Sequence, residues 1–368
     1  MLPYFIVFSC CLFLNSISSK KNIIPIFISC LLLSILAGVR DINIGTDTNL
    51  YPSQYLKVAK SLASVSEIAT MESDEHLDKG FVFLYYIGYW VSRNIWIGLF
   101  LTEFVITFFT FWGYLRLSKY IKGLSLFTAC FLFLIFNYSL NAMRQECAIS
   151  ISFLAFTYLW EKRWKSYVFW MFIAYTFHSS ALIALLLPIM LYIVNIRSEK
   201  MRIISIIILL ACILFSFFSY YYLISMIGDS GIVNEKFVNR YGEDSYYEGL
   251  GRVGWVAMIL SLFIIYVIHI AKNKKLMSNK VLLFHLLVNI IYLAFQAFAI
   301  YSIFMYRISL YFFIIDLFFL SKELASVKIK REIKMIFVLF LLVNWIYTYT
   351  IKNSSETYPY TSEILGIR

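Results

Sequence analysis

Charge is scarce in this chain. Only 14% of its 368 residues are Asp, Glu, Lys or Arg, while 61% are hydrophobic. No soluble core can hide that much apolar surface, so a polytopic membrane protein is expected. Six cysteines all lie in apolar runs without C-x-x-C spacing. That pattern excludes a disulfide framework and a zinc site and leaves them as packing residues. The four histidines (His76, His178, His269, His285) form no metal-ligating cluster, and no metal is expected. There is also no Gly/Ser linker, no low-complexity tract and no internal repeat, so residues 1–368 read as a single domain. A P-loop, a dinucleotide fingerprint and G-x-S-x-G are all missing, which leaves nucleotide-dependent chemistry and cofactors without residues to hold them.

What is present is a succession of apolar runs punctuated by short basic clusters. Apolar segments fall at 2–17, 23–39, 94–115, 124–140, 146–160, 166–177, 179–195, 203–226, 253–271, 280–301, 308–321 and 335–351. The class is therefore all-α, a transmembrane bundle of about twelve spans, each of about 20 residues or somewhat fewer. Residues 81–92 are too short to cross and suit an interfacial or re-entrant helix. The first segment lacks a charged leader and a cleavage site, and is expected to be a span rather than a signal peptide. Net charge is +11, but the basic residues are scattered, which argues against nucleic acid as a partner.

The loops 18–22, 116–122, 161–165, 197–202, 272–280 and 322–334 carry 20 of the 32 basic residues and only 4 of the 21 acids. The positive-inside rule puts them in the cytoplasm and places the polar loops 40–80 and 227–252, with the tail 352–368, outside. This topology needs the chain to turn near His178 rather than run as one helix over 166–195.

The polar residues then gather at the outer face. Asn137, Asn141, Arg144 and Ala148 are spaced to share one face of a helix, with Gln145 alongside. Arg40, Arg144 and Arg307 stand at the membrane boundary, where a guanidinium grips phosphate oxygens by paired charge-assisted bonds. Each also suits headgroup anchoring or a carboxylate partner. Asp47, in IGTDTNLY, fits either a cap for a helix over 49–60 or a general base. His178 fits either a buried, backbone-bonded histidine or a base or sugar ligand. Glu103 and Asp316, inside spans, should pair within the bundle or face water. Tyr358 and Tyr360 in the tail and Arg252 in the second outer loop are expected at the same face.

GVRDINIGTDTNLYPSQY, LNAMRQECAISISFLAF, EKRWKSYVFW with AYTFHSSALIALLLP, FMYRISLYF and TYPYTSEI occur in that order over nearly the whole chain. In that order they resemble the EpsG-like branch of Wzy-type O-antigen and exopolysaccharide polymerases. The resemblance implies a GT-C-like architecture and residence in the bacterial inner membrane, with a site facing the periplasm. It also implies transfer of a growing glycan from undecaprenyl pyrophosphate to the non-reducing end of a new lipid-linked repeat unit. The lipid-linked donor and acceptor, the bilayer and a chain-length regulator are the implied partners. Arg144, with Arg40 and Arg307, would stabilise the departing pyrophosphate; Asn141, Gln145, Arg252, Tyr358 and Tyr360 would bind substrate; Asp47 or His178 would be the base of an inverting displacement. A flippase for lipid-linked oligosaccharides and a membrane O-acyltransferase are the alternatives. The first calls for polar residues along a path through both leaflets, and the second for a histidine served from the cytoplasm.

Overall fold

The computed structural model describes residues 1–19, 21–49, 51–71, 77–118, 123–219, 279–299, 303–326 and 331–368. Among them all regular structure is helical, and the β-type pairing is confined to two isolated bridges, Ser19 with Asn22 and Ser362 with Ile367. The helices are α1 Leu2–Ile17, α2 Ile24–Gly38, α3 Tyr51–Ser61, α4 Ser66–Thr70, α5 Lys79–Ser92, α6 Ile95–Leu117, α7 Leu124–Cys130, α8 Asn137–Ser139, α9 Met143–Trp160, α10 Trp164–Phe177, α11 Leu186–Asn195, α12 Glu199–Phe218, α13 Lys280–Phe298, α14 Ile303–Ser326 and α15 Arg331–Ile346. Local chemistry sets several of their starts. Pro3 and Pro25 sit in the first turns of α1 and α2, where a missing N–H costs nothing. Asn94 accepts from the Ile95 N–H at the head of α6, and Asn279 from Leu282 N–H at the head of α13.

Among the described residues four helical segments are long and apolar enough to cross a membrane: Ile95–Leu117, Lys280–Phe298, Ile303–Ala325 and Lys334–Ile351. Leu2–Ile17, Ile24–Gly38, Leu124–Ser139 and Ser179–Asn195 are apolar but shorter. The expected span 253–271 lies outside the described residues. Helix α3 differs in kind. Its buried residues Pro52, Tyr55 and Ala59 mark one face and Lys57 and Lys60 the other, the pattern of a half-covered surface helix.

The described chain divides into two units, Met1–Leu182 with Leu317–Arg368, and Ile183–Asp316. In the first, α6 packs against α2, α5 and α9, and α9 in turn carries α10, while α3 lies on α5. Polar bonds cross this apolar packing, as when Asn15 donates to Thr128 Oγ1 at 2.9 Å. Trp345 is fully buried among Phe5, Phe8 and Phe133, with ring centroids 5.4–5.9 Å away. In the second unit, Asn289 and His285 of α13 both bond Asp316 of α14, His285 Nε2 lying 2.9 Å from Oδ1, and Gln296 donates to Ser309 at 2.7 Å. Residues 285, 289 and 296 share one stripe of α13, so a polar seam joins two apolar helices. Asp316 thus pairs inside its helix bundle, as does Glu103 in the first unit, whose Oε2 accepts from Ser139 Oγ at 3.0 Å.

One expectation is corrected here. Asn137, Asn141 and Arg144 do not share a helix face, because α8 ends at Ser139 and α9 begins at Met143. The Leu140 carbonyl, which would accept the Arg144 N–H in a continuous helix, accepts from Arg40 Nη2 at 3.0 Å instead. The Asn141 and Ala142 N–H groups both close back onto Tyr138 O at 3.0 Å, so the chain turns. The helix also breaks at His178: its backbone is extended (φ −165°, ψ 130°), and a 3-10 segment, Ser179–Leu185, follows α10.

Candidate functional site

Arg144 opens α9, and its guanidinium is held at one corner. Nη1 donates to Asp78 Oδ2 at 2.8 Å and to the Tyr55 hydroxyl at 3.2 Å. The Asp78 N–H donates to the same hydroxyl at 3.0 Å, closing a triangle. The Tyr51 ring lies under the guanidinium, 4.3 Å from centroid to Cζ, a stacked cation–π contact. Nε and Nη2 have no partner among the described residues, and the side chain is 21% exposed. The site therefore presents a guanidinium held at one corner and against one ring, with its two-donor edge open among the described residues, the geometry suited to a phosphate.

Three elements converge to build it. Tyr55 projects from the buried face of α3, its ring 4.8 Å from Phe81 of α5. Asp78 stands at the head of α5. That head packs closely on α10 at Gly80, where a Cβ would come within 2.7 Å of Thr176 Oγ1 and 2.8 Å of the Phe177 ring. Burial pushes the Asp78 carboxyl up to about 6, against the pull of the Arg144 charge, and burial also raises the Tyr55 hydroxyl.

Asn141, just before α9, connects Arg144 to the loop that carries Asp47. Its Oδ1 accepts from Asp47 N–H at 3.4 Å, and its Nδ2 donates to Ser355 O at 2.6 Å in the tail. Gly45 makes room for this amide. Its φ of +97° suits glycine, and a Cβ there would collide with Asn141 Oδ1. The Asp47 carbonyl accepts from Tyr51 N–H at 3.1 Å, which leads directly into the helix that stacks Tyr51 on Arg144. The Asp47 carboxylate is half-buried and has no partner among the described residues, while its backbone carbonyl is bonded to the first turn of α3.

The remaining candidates part company from this cluster. Arg40 is buried; its terminal nitrogens go to Ala37 O (2.7 Å), Leu140 O (3.0 Å), Thr48 Oγ1 (3.4 Å) and Met143 Sδ (3.7 Å), and its Nε is enclosed with no partner among the described residues. It braces the turn before α9 and presents no edge to an anion, which corrects its placement as a pyrophosphate ligand. Tyr360 is likewise a packing residue, buried against Tyr4 with its hydroxyl on Leu36 O at 2.8 Å. Gln145 is buried; Tyr358 is half-exposed in the tail. His178 is half-buried, and its Nδ1 accepts from Ser180 N–H at 3.2 Å with Ser180 Oγ at 2.7 Å, so it caps the 3-10 segment. Arg307 belongs to the second unit, on α14. Arg252, with the loop 227–252, lies outside the described residues, as do His76 and His269.

Sequence reasoning missed Tyr51, Tyr55 and Asp78 as site residues. The first two carried a signal, since Tyr51 and Tyr55 are i, i+4 on an amphipathic helix in the longest polar stretch. Asp78 was one acid of a patch, and nothing in its neighbours separated it from the rest. Among the described residues no group of three His, Cys, Asp or Glu side chains is arranged to hold a metal.

With all regular structure helical and four apolar helices of membrane-crossing length among the described residues, this is a membrane protein. Residues 23–362 match the EpsG family, and the chain belongs to it, with the exopolysaccharide- or O-antigen-polymerase-like, glycosyltransferase-like character of that family. No curated protein and no solved structure matches it significantly.

Proposed function

We propose that this protein is a polysaccharide polymerase that transfers a growing glycan from undecaprenyl pyrophosphate to a new lipid-linked repeat unit at the outer face of the cytoplasmic membrane. The reading includes a GT-C-like bundle of about twelve spans, and a lipid-linked donor and acceptor as substrates. One observation carries it: the Arg144 guanidinium is held by Asp78, Tyr55 and Tyr51 with its Nε/Nη2 edge open among the described residues, and Asn141 links it to the loop of Asp47, whose carboxylate has no partner among them. In the reaction Asp47 takes the proton of the acceptor hydroxyl as that oxygen attacks the anomeric carbon. The bond from that carbon to the pyrophosphate oxygen breaks, the electron pair leaves on the pyrophosphate, and Arg144 meets the developing charge. Displacement from the opposite face inverts the anomeric centre. Asp47 is preferred to His178 as base because the Nδ1 lone pair of His178 is already engaged by Ser180.

The test is a gel ladder of surface polysaccharide from cells lacking this gene, complemented with wild type or Arg144→Ala. Loss of the ladder, with single repeats still exported, is the expected result. Loss of the single repeats as well would place the defect at export and overturn the polymerase reading. An intact ladder lacking acyl groups would do the same in favour of an acyltransferase.

A further inference from the structure

We infer that Asp78 is the positioning residue of the Arg144 anion site: through its bond to Nη1 and its backbone bond to the Tyr55 hydroxyl, it holds the open edge of the guanidinium toward the substrate pyrophosphate. This deepens the reading of Arg144 given above and rests on it.

The geometry is that of a preorganised donor. Nη1, the one nitrogen of Arg144 engaged among the described residues, points at Asp78 Oδ2 and the Tyr55 hydroxyl. That hydroxyl receives two donors, Arg144 Nη1 and the Asp78 N–H, and is carried on a ring that is fully buried. It is a fixed point rather than a mobile rim. Tyr51 sets the plane of the guanidinium from below. With one corner and the plane fixed, the remaining freedom of the Nε/Nη2 edge is small. A charged donor that needs no reorganisation when negative charge develops acts in the transition state rather than in ground-state binding alone.

Asp78 is poorly placed to be a stability device. Its carboxyl is raised to about 6 by burial, so the folded protein holds its proton more tightly than an unfolded chain would. Between the ordinary carboxylate range and about 6, rising pH therefore reduces stability as Asp78 ionises. The ionised form that Arg144 needs is the one the fold disfavours. Among the described residues the other charged and titratable groups around it are already committed: Lys79 Nζ turns to Ala69 O, Glu67 turns to Ala63 N–H and Ser64, and His178 bonds Ser180. From α10 the close neighbours at Gly80 are Thr176 and Phe177, and from α3 they are Tyr51 and Tyr55.

The experiment uses the purified full chain in nanodiscs with polyprenyl-pyrophosphate-linked repeat units as donor and acceptor, assayed from pH 5 to 8. Wild type, Asp78→Asn, Asp78→Glu, Tyr55→Phe and Arg144→Ala are compared for kcat, KM and melting temperature. Wild type should lose kcat as pH falls through about 6, the range in which Asp78 takes its proton. Asp78→Asn should lack that acid limb, lose ~10–100-fold in kcat with little change in KM, and melt no lower than wild type at pH 7.5. Tyr55→Phe should lower kcat and keep the acid limb, which covers the case of a poorly folding Asp78 variant. Wild-type kcat and an unchanged acid limb in Asp78→Asn would overturn the positioning role while Arg144→Ala remained inactive. Full activity of Arg144→Ala would overturn the underlying reading instead.

Discussion

Arg144→Lys separates the charge of the site from its shape. In the wild type, Nη1 serves Asp78 at 2.8 Å and Tyr55 at 3.2 Å, and the Nε/Nη2 edge is left over. A lysine ammonium is a single point with rotatable donors and no second edge, and the nearest charge is the Asp78 carboxylate. The ammonium is therefore expected to pair with Asp78 and to leave nothing oriented toward the pyrophosphate. Both side chains of the pair are about one-fifth exposed, so the change in stability should stay within about 1 kcal/mol. The catalytic loss should resemble removal of a transition-state donor, roughly 10²–10³-fold in kcat, or about 3–4 kcal/mol. Polymer ladders in complemented cells and single-turnover transfer with purified protein read the loss, and melting in detergent reads the fold. A lysine variant that makes full-length polymer at the wild-type rate would refute the paired-bond argument. A variant that loses 3 kcal/mol or more of stability would refute the view that Arg144 is there for chemistry.

Asn141→Ala should leave the Ser355 carbonyl without its 2.6 Å donor and free the Asp47 loop, costing about 1–2 kcal/mol and lowering kcat more than it raises KM. Thermal melts and protease sensitivity of the tail beyond 352 check it. Asn137 accepts from Trp345 Nε1 at 2.7 Å and donates to Thr357 Oγ1 at 2.9 Å in a fully buried setting. Asn137→Ala and Trp345→Phe should each cost about 1–3 kcal/mol, and the double variant clearly less than their sum; simple additivity in denaturant titrations would count against the bond. Asp47→Asn should abolish polymer formation, whereas His178→Asn, which can still cap Ser180, should retain most of it. The reverse pattern on the gel would exchange the two roles.

Composition and period made the helical membrane class legible, because a chain with so few charges and so many long apolar runs has one solvent in which it is stable. The break at His178 was legible too, since an uninterrupted helix would have put basic loops on the wrong side. The limit was reached where a side chain's partner is distant in the chain. Asn137, Asn141 and Arg144 have helical spacing, and local periodicity gave no hint that the Leu140 carbonyl would be claimed by Arg40, a residue 100 positions away. The turn over the three residues 140–142 is braced by that long-range bond.

The same comparison explains why arginine at a membrane boundary is an ambiguous sign. Arg40 and Arg144 look alike in sequence, each beside an apolar segment and each near polar neighbours. In the structure Arg40 faces a turn whose carbonyls have lost their helical donors, and bonds to Ala37 O, Leu140 O and Thr48 absorb both its terminal nitrogens. Arg144 faces a single carboxylate and a tyrosine hydroxyl, which absorb one nitrogen and leave two. The deciding quantity is therefore the number of donors left after the fold has been satisfied, and the donors of Arg40 work on behalf of Arg144 by fixing the turn from which α9 starts. Removing Arg40, as in Arg40→Met, should accordingly leave the Leu140 carbonyl with only the 3.4 Å bond from Thr48 Oγ1, loosen that turn and lower both stability and activity together. Arg144→Lys should lower activity alone. Parallel melts and transfer assays on the two variants distinguish them, and a stable, inactive Arg40→Met would return Arg40 to the anion site.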